Sequence, residues 1–206
     1  MKLLDCFCGM GGVSDGFALE GFDVTGIDIV DAPKMLGYKH HFIQADMLSL
    51  KGEHFKGFDV IWGSPPCRDF SPLGRIYGKY WKNPPSPEKG LEFVRAFLTF
   101  VHVAKPKIWI MENVANLKNF LPLLKPRAET IIDYGKRHVF YGNFPLFLMT
   151  RDRTRKTRGR TSTGRDTSIW KDKKLGSWMS AKIPLACSQA FARVCKESLL
   201  STATYV

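Results

Sequence analysis

Short apolar runs, each closed by a glycine, an acid or a proline turn, constrain this chain more than any other feature of its sequence. Lys2 to Phe7 closes on glycines, and Phe22 to Ile29 carries an acid, Asp28, near its end. His41 to Gln44 stops before Ala45-Asp46-Met47. Phe58 to Trp62 runs into Gly63-Ser64-Pro65-Pro66-Cys67, and Lys107 to Met111 runs into Glu112-Asn113-Val114. Runs this short and apolar read as buried strands. Longer segments between and after them carry helical spacing. Gly11 to Glu20 has Val13, Gly16, Phe17 and Glu20 on one stripe, and Leu91 to Ala104 has Phe93, Phe97 and Val101 at intervals of four. Pro184 to Leu200 reads as a last helix with proline in its first turn. Strands alternating with helices predict βαβ units, a mainly parallel sheet and an α/β, Rossmann-like fold. The 206 residues suit a single domain over 1–206.

Composition narrows the class of function. No apolar run reaches the roughly 20 residues that span a bilayer, and Met1-Lys2-Leu3-Leu4-Asp5 meets an acid before any signal-peptide core forms. A cytoplasmic protein without membrane contact, and a monomer, is the expectation. Five cysteines at uneven spacing exclude a regular disulfide framework and fit a reducing compartment. Cys6-Phe7-Cys8 is too tight for a CxxC metal pair, so no metal is expected; Cys6, Cys187 and Cys195 read as small buried hydrophobes. Net charge is +12, from 31 basic against 19 acidic residues, which favours a polyanionic partner such as nucleic acid.

In parallel sheets ligands gather at the carboxyl ends of the strands, and every chemically suggestive segment falls there. Asp5-Cys6-Phe7-Cys8-Gly9-Met10-Gly11-Gly12 lies between a strand and a helix, where glycines let backbone approach a ligand. Asp28, about 20 residues on, stands where an acid meets ribose hydroxyls in nucleoside-binding folds, and Asp46 stands where an adenine amino group is accepted. Pro65-Pro66 stiffen the turn that carries Cys67, a candidate nucleophile with Arg68 beside it. Glu112 lies across the same sheet edge and can hold a protonated ring nitrogen. Taken singly, each of these fits a tight turn, a helix cap or a buried thiol equally well.

Taken in order, the segments resemble the motifs of the DNA cytosine-C5 methyltransferases. Leu4 to Gly12 with Gly16-Phe17 resembles that family's D-x-F-x-G-x-G-G turn. Pro65-Pro66-Cys67 with Phe70-Ser71 resembles its P-P-C-Q-x-F-S motif, with Arg68 where Gln is usual. Glu112-Asn113-Val114 is its E-N-V motif unchanged. Asp133-Tyr134-Gly135 resembles the D-Y-G before its arginine motif, and Ile183-Pro184 with Ala190-Phe191-Ala192 resembles its last helix. The resemblance implies S-adenosylmethionine as cofactor, with S-adenosylhomocysteine as product. Phe7, Gly9, Gly11, Gly12, Asp28, Ile29, Asp46, Met47 and Pro66 would bind it. It also implies Cys67 attack at C6 of a flipped cytosine, and Glu112 at N3 and the exocyclic amine. An arginine would meet the carbonyl oxygen.

Two departures follow. The family's Q-x-R-x-R is shortened to Lys136-Arg137-His138, of which Arg137, with its planar fork, is the preferred candidate. Residues 144–182 occupy the interval of the family's target-recognition domain. Residues 151–174 within it carry ten Lys or Arg against three Asp, a reduced basic segment suited to phosphates rather than a folded domain. This layout is similar to compact phage-encoded members. The loop after Cys67, with Tyr77, Tyr80 and Trp81 among basic residues, suits phosphates and unstacked bases. DNA is the expected partner. RNA methylation, as on tRNA, and a catalytically weak cofactor-binding DNA-binding protein are the alternatives.

Overall fold

The computed structural model describes residues 1–71, 84–132, 136–148 and 182–203. Among these, seven strands form one sheet: β1 (Lys2–Cys6), β2 (Asp23–Asp28), β3 (His41–Gln44), β4 (Val60–Gly63), β5 (Ile108–Val114), β6 (Ala128–Ile132) and β7 (Lys136–Gly142). Their order is β3-β2-β1-β4-β5-β7-β6. The first five are parallel, and β7 runs antiparallel to both β5 and β6. The α/β, Rossmann-like fold expected from the sequence is the one observed.

Helices cover both faces. α1 (Gly12–Leu19) and α4 (Leu185–Ala203) lie on one side, and α3 (Pro87–Ala104) on the other; α2 (Ala32–Leu36) is a short helix after β2. Alternate strand residues divide the core accordingly. Leu3, Val60, Trp62, Ile108, Ile110 and Phe140 pack under α1 and α4. Leu4, Ile61, Met111, Val139 and Tyr141 pack under α3 with Phe97, Phe100 and Val101. Phe191 of α4 meets Trp62 edge-on at 5.0 Å between centroids and Phe140 at 4.7 Å. It thereby fastens the returning C-terminal helix over the middle of the sheet.

Several boundaries differ from the sequence reading. β5 does not end at Met111 but continues through Val114, so Glu112 and Asn113 are strand residues. The loop expected after Cys67 gives way to α3 at Pro87, with Ser86 as the cap, its Oγ accepting from Lys89 N. The buried stripe of α3 is Val94, Phe97, Phe100, Val101 and Ala104, leaving Phe93 half-buried. The shortened arginine motif is a strand: Lys136-Arg137-His138 open β7, pairing with β6. Neither strand was legible as such, since β7 is buried on both faces beyond His138 and shows no clean apolar–polar alternation. Residues 72–83, with Tyr77, Tyr80 and Trp81, lie outside the described residues. So do Asp133-Tyr134-Gly135 and most of the basic interval.

Candidate active site

The carboxyl ends of β1 and β4 meet at the topological switch point, because β2 and β3 continue from one side of β1 and β5 from the far side of β4. The turn after β1 approaches this crevice from one side and the Cys67 turn from the other.

The turn after β1 is wound by three left-handed residues, Phe7 (φ 61), Gly9 (φ 48) and Gly11 (φ 72). Phe7 bears a side chain in a conformation that disfavours one by about 1–2 kcal/mol. Its ring packs edge-on against Phe93 of α3, 6.2 Å between centroids. Gly11 caps α1 and accepts from Asp15 N at 2.8 Å. Gly12 answers to packing: a Cβ there would lie 2.5 Å from the carbonyl oxygen of Ile183. The chain returning to α4 therefore closes directly on the turn, and Ser188 Oγ donates to Gly12 O at 2.9 Å.

Beneath the turn, Asp5 is buried. Its Oδ2 accepts from Ser14 N at 3.2 Å and Ser14 Oγ at 2.6 Å, and the same Oγ shares a hydrogen bond with Tyr38 OH at 2.8 Å. Burial pushes the Asp5 carboxyl up to about 7, against the pull of the Ser14 bonds. This polar chain escaped the sequence reading; Asp5 followed by Ser14 at a helix start was the available signal. Cys6, Cys8, Cys187 and Cys195 are buried, as expected for three of them. Burial raises the thiols of Cys6, Cys8 and Cys195 well above the usual range.

Asp28 closes β2. Its Oδ2 accepts from Gly9 N at 3.0 Å and its Oδ1 from Val30 N at 3.2 Å, tying the turn to the next strand. Burial raises this carboxyl, opposed by those backbone bonds. Its four lone-pair sites outnumber the backbone donors that reach it, Gly9, Val30 and Ile29, and leave room for a hydroxyl donor. Ile29 beside it is 60% exposed. After β3, Asp46 is half-buried with Oδ1 accepting from Leu48 N at 2.9 Å, and Met47 is buried among Leu4, Ile27 and Phe97. An apolar residue open to solvent beside two carboxyl groups, at the ends of adjacent strands, matches the donor and stacking requirements of a nucleoside. Met47 belongs to the core rather than to this open edge.

On the opposite side, Pro65 is buried, Pro66 exposed and Cys67 half-buried. Cys67 has φ −90 and ψ −9 and opens a 3-10 turn, Arg68–Phe70, with its carbonyl accepting from Phe70 N at 3.1 Å. The backbone is held on both sides of the thiol. Asn113 Nδ2 donates to Pro65 O at 3.1 Å, Asn116 Nδ2 donates to Phe70 O at 2.7 Å, and Ser86 N donates to the buried Asp69 at 3.0 Å. The Arg68 guanidinium lies 3.9 Å from the Asp69 carboxyl group. Glu112 is buried, and its Oε1 is 2.7 Å from Nδ1 of His138. Arg137 lies on β7 opposite Ile131; its side chain is outside the described residues. Among the described residues, no cluster of His, Cys, Asp and Glu suits a metal, and no helix is long and apolar enough to cross a membrane.

A Rossmann-like sheet with a glycine-wound turn and a braced cysteine at its switch point defines the class. Residues 1–133 match the family model described as C-5 cytosine-specific DNA methylase, and the chain belongs to that family. Relatives include the type II methyltransferase M1.HphI of Haemophilus parahaemolyticus, 33% identical over 128 residues, covering 57% of this chain and 33% of the relative. M.HindV of Haemophilus influenzae is 31% identical over 148 residues, covering 66% and 44%. M.HgiGI of Herpetosiphon aurantiacus is 30% identical over 127 residues, covering 55% of this chain and 90% of the relative. The matched stretch thus spans a third to under half of the first two relatives. Among solved structures, the Entamoeba histolytica methyltransferase EhMeth aligns with a TM-score of 0.48 at 17% identity, covering 73% of this chain and 55% of that one.

Proposed function

We propose that this chain methylates cytosine at C5 in DNA, in the cytoplasm of a prokaryotic or phage-infected cell, with Cys67 as nucleophile and S-adenosylmethionine as methyl donor. The observation that carries the reading is the bracing of the Cys67 turn by the strand that bears Glu112, through Asn113 Nδ2 and Pro65 O at 3.1 Å. A nucleophile is useful only if held where the ring will be.

The Cys67 thiolate adds to C6 of the cytosine, and Glu112 contacts N3 and the exocyclic amine. When bound, S-adenosylmethionine supplies an electrophilic methyl group to the activated C5. The cradle for it is Phe7, Gly9, Gly11 and Gly12 for the amino-acid part, Asp28 and Ile29 for ribose and base, and Asp46, Met47 and Pro66 around the adenine edge. Of these, Gly12 and Met47 act by shaping the wall. Loss of the C5 proton to a base restores the double bond and expels the Cys67 thiolate. Arg137, on β7, is the proposed donor to the carbonyl oxygen. In a duplex the cytosine leaves the stack first, costing a few kcal/mol. Residues 144–182 are the proposed phosphate-binding segment in place of a target-recognition domain.

The test is methyl transfer from labelled S-adenosylmethionine to duplex DNA, single-stranded DNA and tRNA, beside a Cys67→Ala control. Label on DNA that vanishes in the variant is the expected result. Label on tRNA alone moves the substrate to RNA. Cofactor binding with no transfer to any substrate overturns the enzymatic reading and leaves a DNA-binding protein.

A further inference from the structure

β5 and β7 pair in a register that sets Val114 opposite His138 and Glu112 opposite Phe140. Residues two apart on a strand share a face, so His138 stands diagonally across from Glu112. Their side chains meet, Nδ1 to Oε1 at 2.7 Å, and both are largely withdrawn from water, 15% and 11% exposed. With the ring proton on Nδ1, His138 donates to Oε1 whether or not the carboxyl group is ionised, and a carboxyl proton then sits on Oε2. The distance lies at the short end of the N–H···O range. His138 is also one of only three residues in the shortened motif, where the family's Q-x-R-x-R pattern has two arginines.

We infer that His138 is the positioning residue for Glu112, fixing its carboxyl plane so that Oε2 faces N3 of the bound cytosine. This rests on the reading of Cys67 and Glu112 above. As the Cys67 sulfur bonds to C6, the electron pair of the C5–C6 double bond moves into C4–C5, and that of C4–N3 moves onto N3. N3 takes the proton of the Glu112 carboxyl group. Glu112 gains the negative charge, and its bond from Nδ1–H strengthens as that charge appears. A hydrogen bond that tightens in the transition state raises kcat rather than substrate affinity. The remnant of the arginine motif thus acts through the E-N-V carboxylate.

The test uses the full chain with four variants and measures kcat, KM for S-adenosylmethionine, and covalent trapping on 5-fluorocytosine DNA. His138→Phe keeps a ring but removes the donor; kcat and trapping should fall about 10- to 100-fold, with KM for the cofactor unchanged. His138→Asn places an amide N–H near the position of Nδ1 and should recover most of that loss. His138→Gln reaches the position of Nε2 instead and should not. His138→Arg, tested beside them, should do no better than His138→Gln. Wild-type kcat in His138→Phe overturns the inference alone, as does equal activity in the Asn and Gln variants. Those two decide the matter even if His138→Phe fails to fold. A wild-type chain that transfers methyl to no substrate overturns the proposed function, and this inference with it.

Discussion

Replacing Asp5 by Asn should change how the stability of this protein depends on pH. Asp5 is 1% exposed, and burial lifts its carboxyl group from 3.8 to about 7, with the nearby Asp28 and Asp15 pushing the same way and Ser14 opposing. A carboxyl raised by folding binds its proton more tightly in the native state. Its contribution to stability is therefore fully present below the unfolded value and is lost as pH rises through about 7. Between about pH 5 and pH 8 this one group removes about 2.5 kcal/mol. For a chain of this size that corresponds to about 5–10 °C in Tm. Asn has the same shape, and its oxygen accepts from Ser14 N and Oγ as the carboxylate does, but it does not titrate. The assay is thermal melting of both proteins across that pH range. The Tm of Asp5→Asn relative to wild type should climb by about 5–10 °C from the acid to the alkaline end. Subtracting one curve from the other removes every group common to both, and a constant offset from the new amide N–H leaves the slope untouched. Parallel curves would refute the argument that the buried Asp5 holds its proton near neutrality.

Asn113→Ala removes the bond to Pro65 O and should cost about 1–3 kcal/mol in urea unfolding, because the carbonyl it leaves is buried. It should lower methyl transfer more than cofactor binding. Phe191→Ala empties the space between Trp62, Phe140 and Phe144 and should destabilise by about 3–5 kcal/mol, read in the same unfolding experiment. Neutralising Arg151, Arg153, Arg155 and Arg158 together should weaken DNA binding and flatten its dependence on salt, with a change in the log–log slope of about 3–4 if each arginine neutralises a phosphate. An unchanged slope removes the basic interval from the DNA interface.

The parallel half of the molecule was legible because each strand there is a compact apolar run whose end is punctuated by a glycine, an acid or a proline. β1 to β4 came out within a residue or two at each end. β6 and β7 were not legible, since Ala128–Ile132 is short and Lys136–Gly142 begins with two basic residues before turning apolar. Reading Lys136-Arg137-His138 only as a broken arginine motif hid the alternation that brings His138 onto the face of Glu112. The turns after β1 and β4 and the end of β5 were legible as segments at one sheet edge, but the contacts within them were not. Gly12 was read as making room for a ligand, yet the atom nearest to a Cβ there is the Ile183 carbonyl oxygen. Contacts between residues more than 150 positions apart leave no local trace in sequence.

Asn113 shows how one short strand segment can serve two neighbours at once. Its neighbour Glu112 faces His138 on β7, and Asn113, pointing to the opposite side of the strand, donates to Pro65 O two residues before Cys67. One strand segment thus positions a carboxyl group and braces the backbone of a thiol at once. On the proposed function, a change at Asn113 disturbs the nucleophile, and a change at Glu112 disturbs the ring contact. The strand that carries Lys136-Arg137-His138 is held to β5 by backbone pairing that any residue can supply and, among the described side chains, by the His138–Glu112 bond. Side chains there can be exchanged without moving the sheet, provided some donor still reaches Oε1 of Glu112.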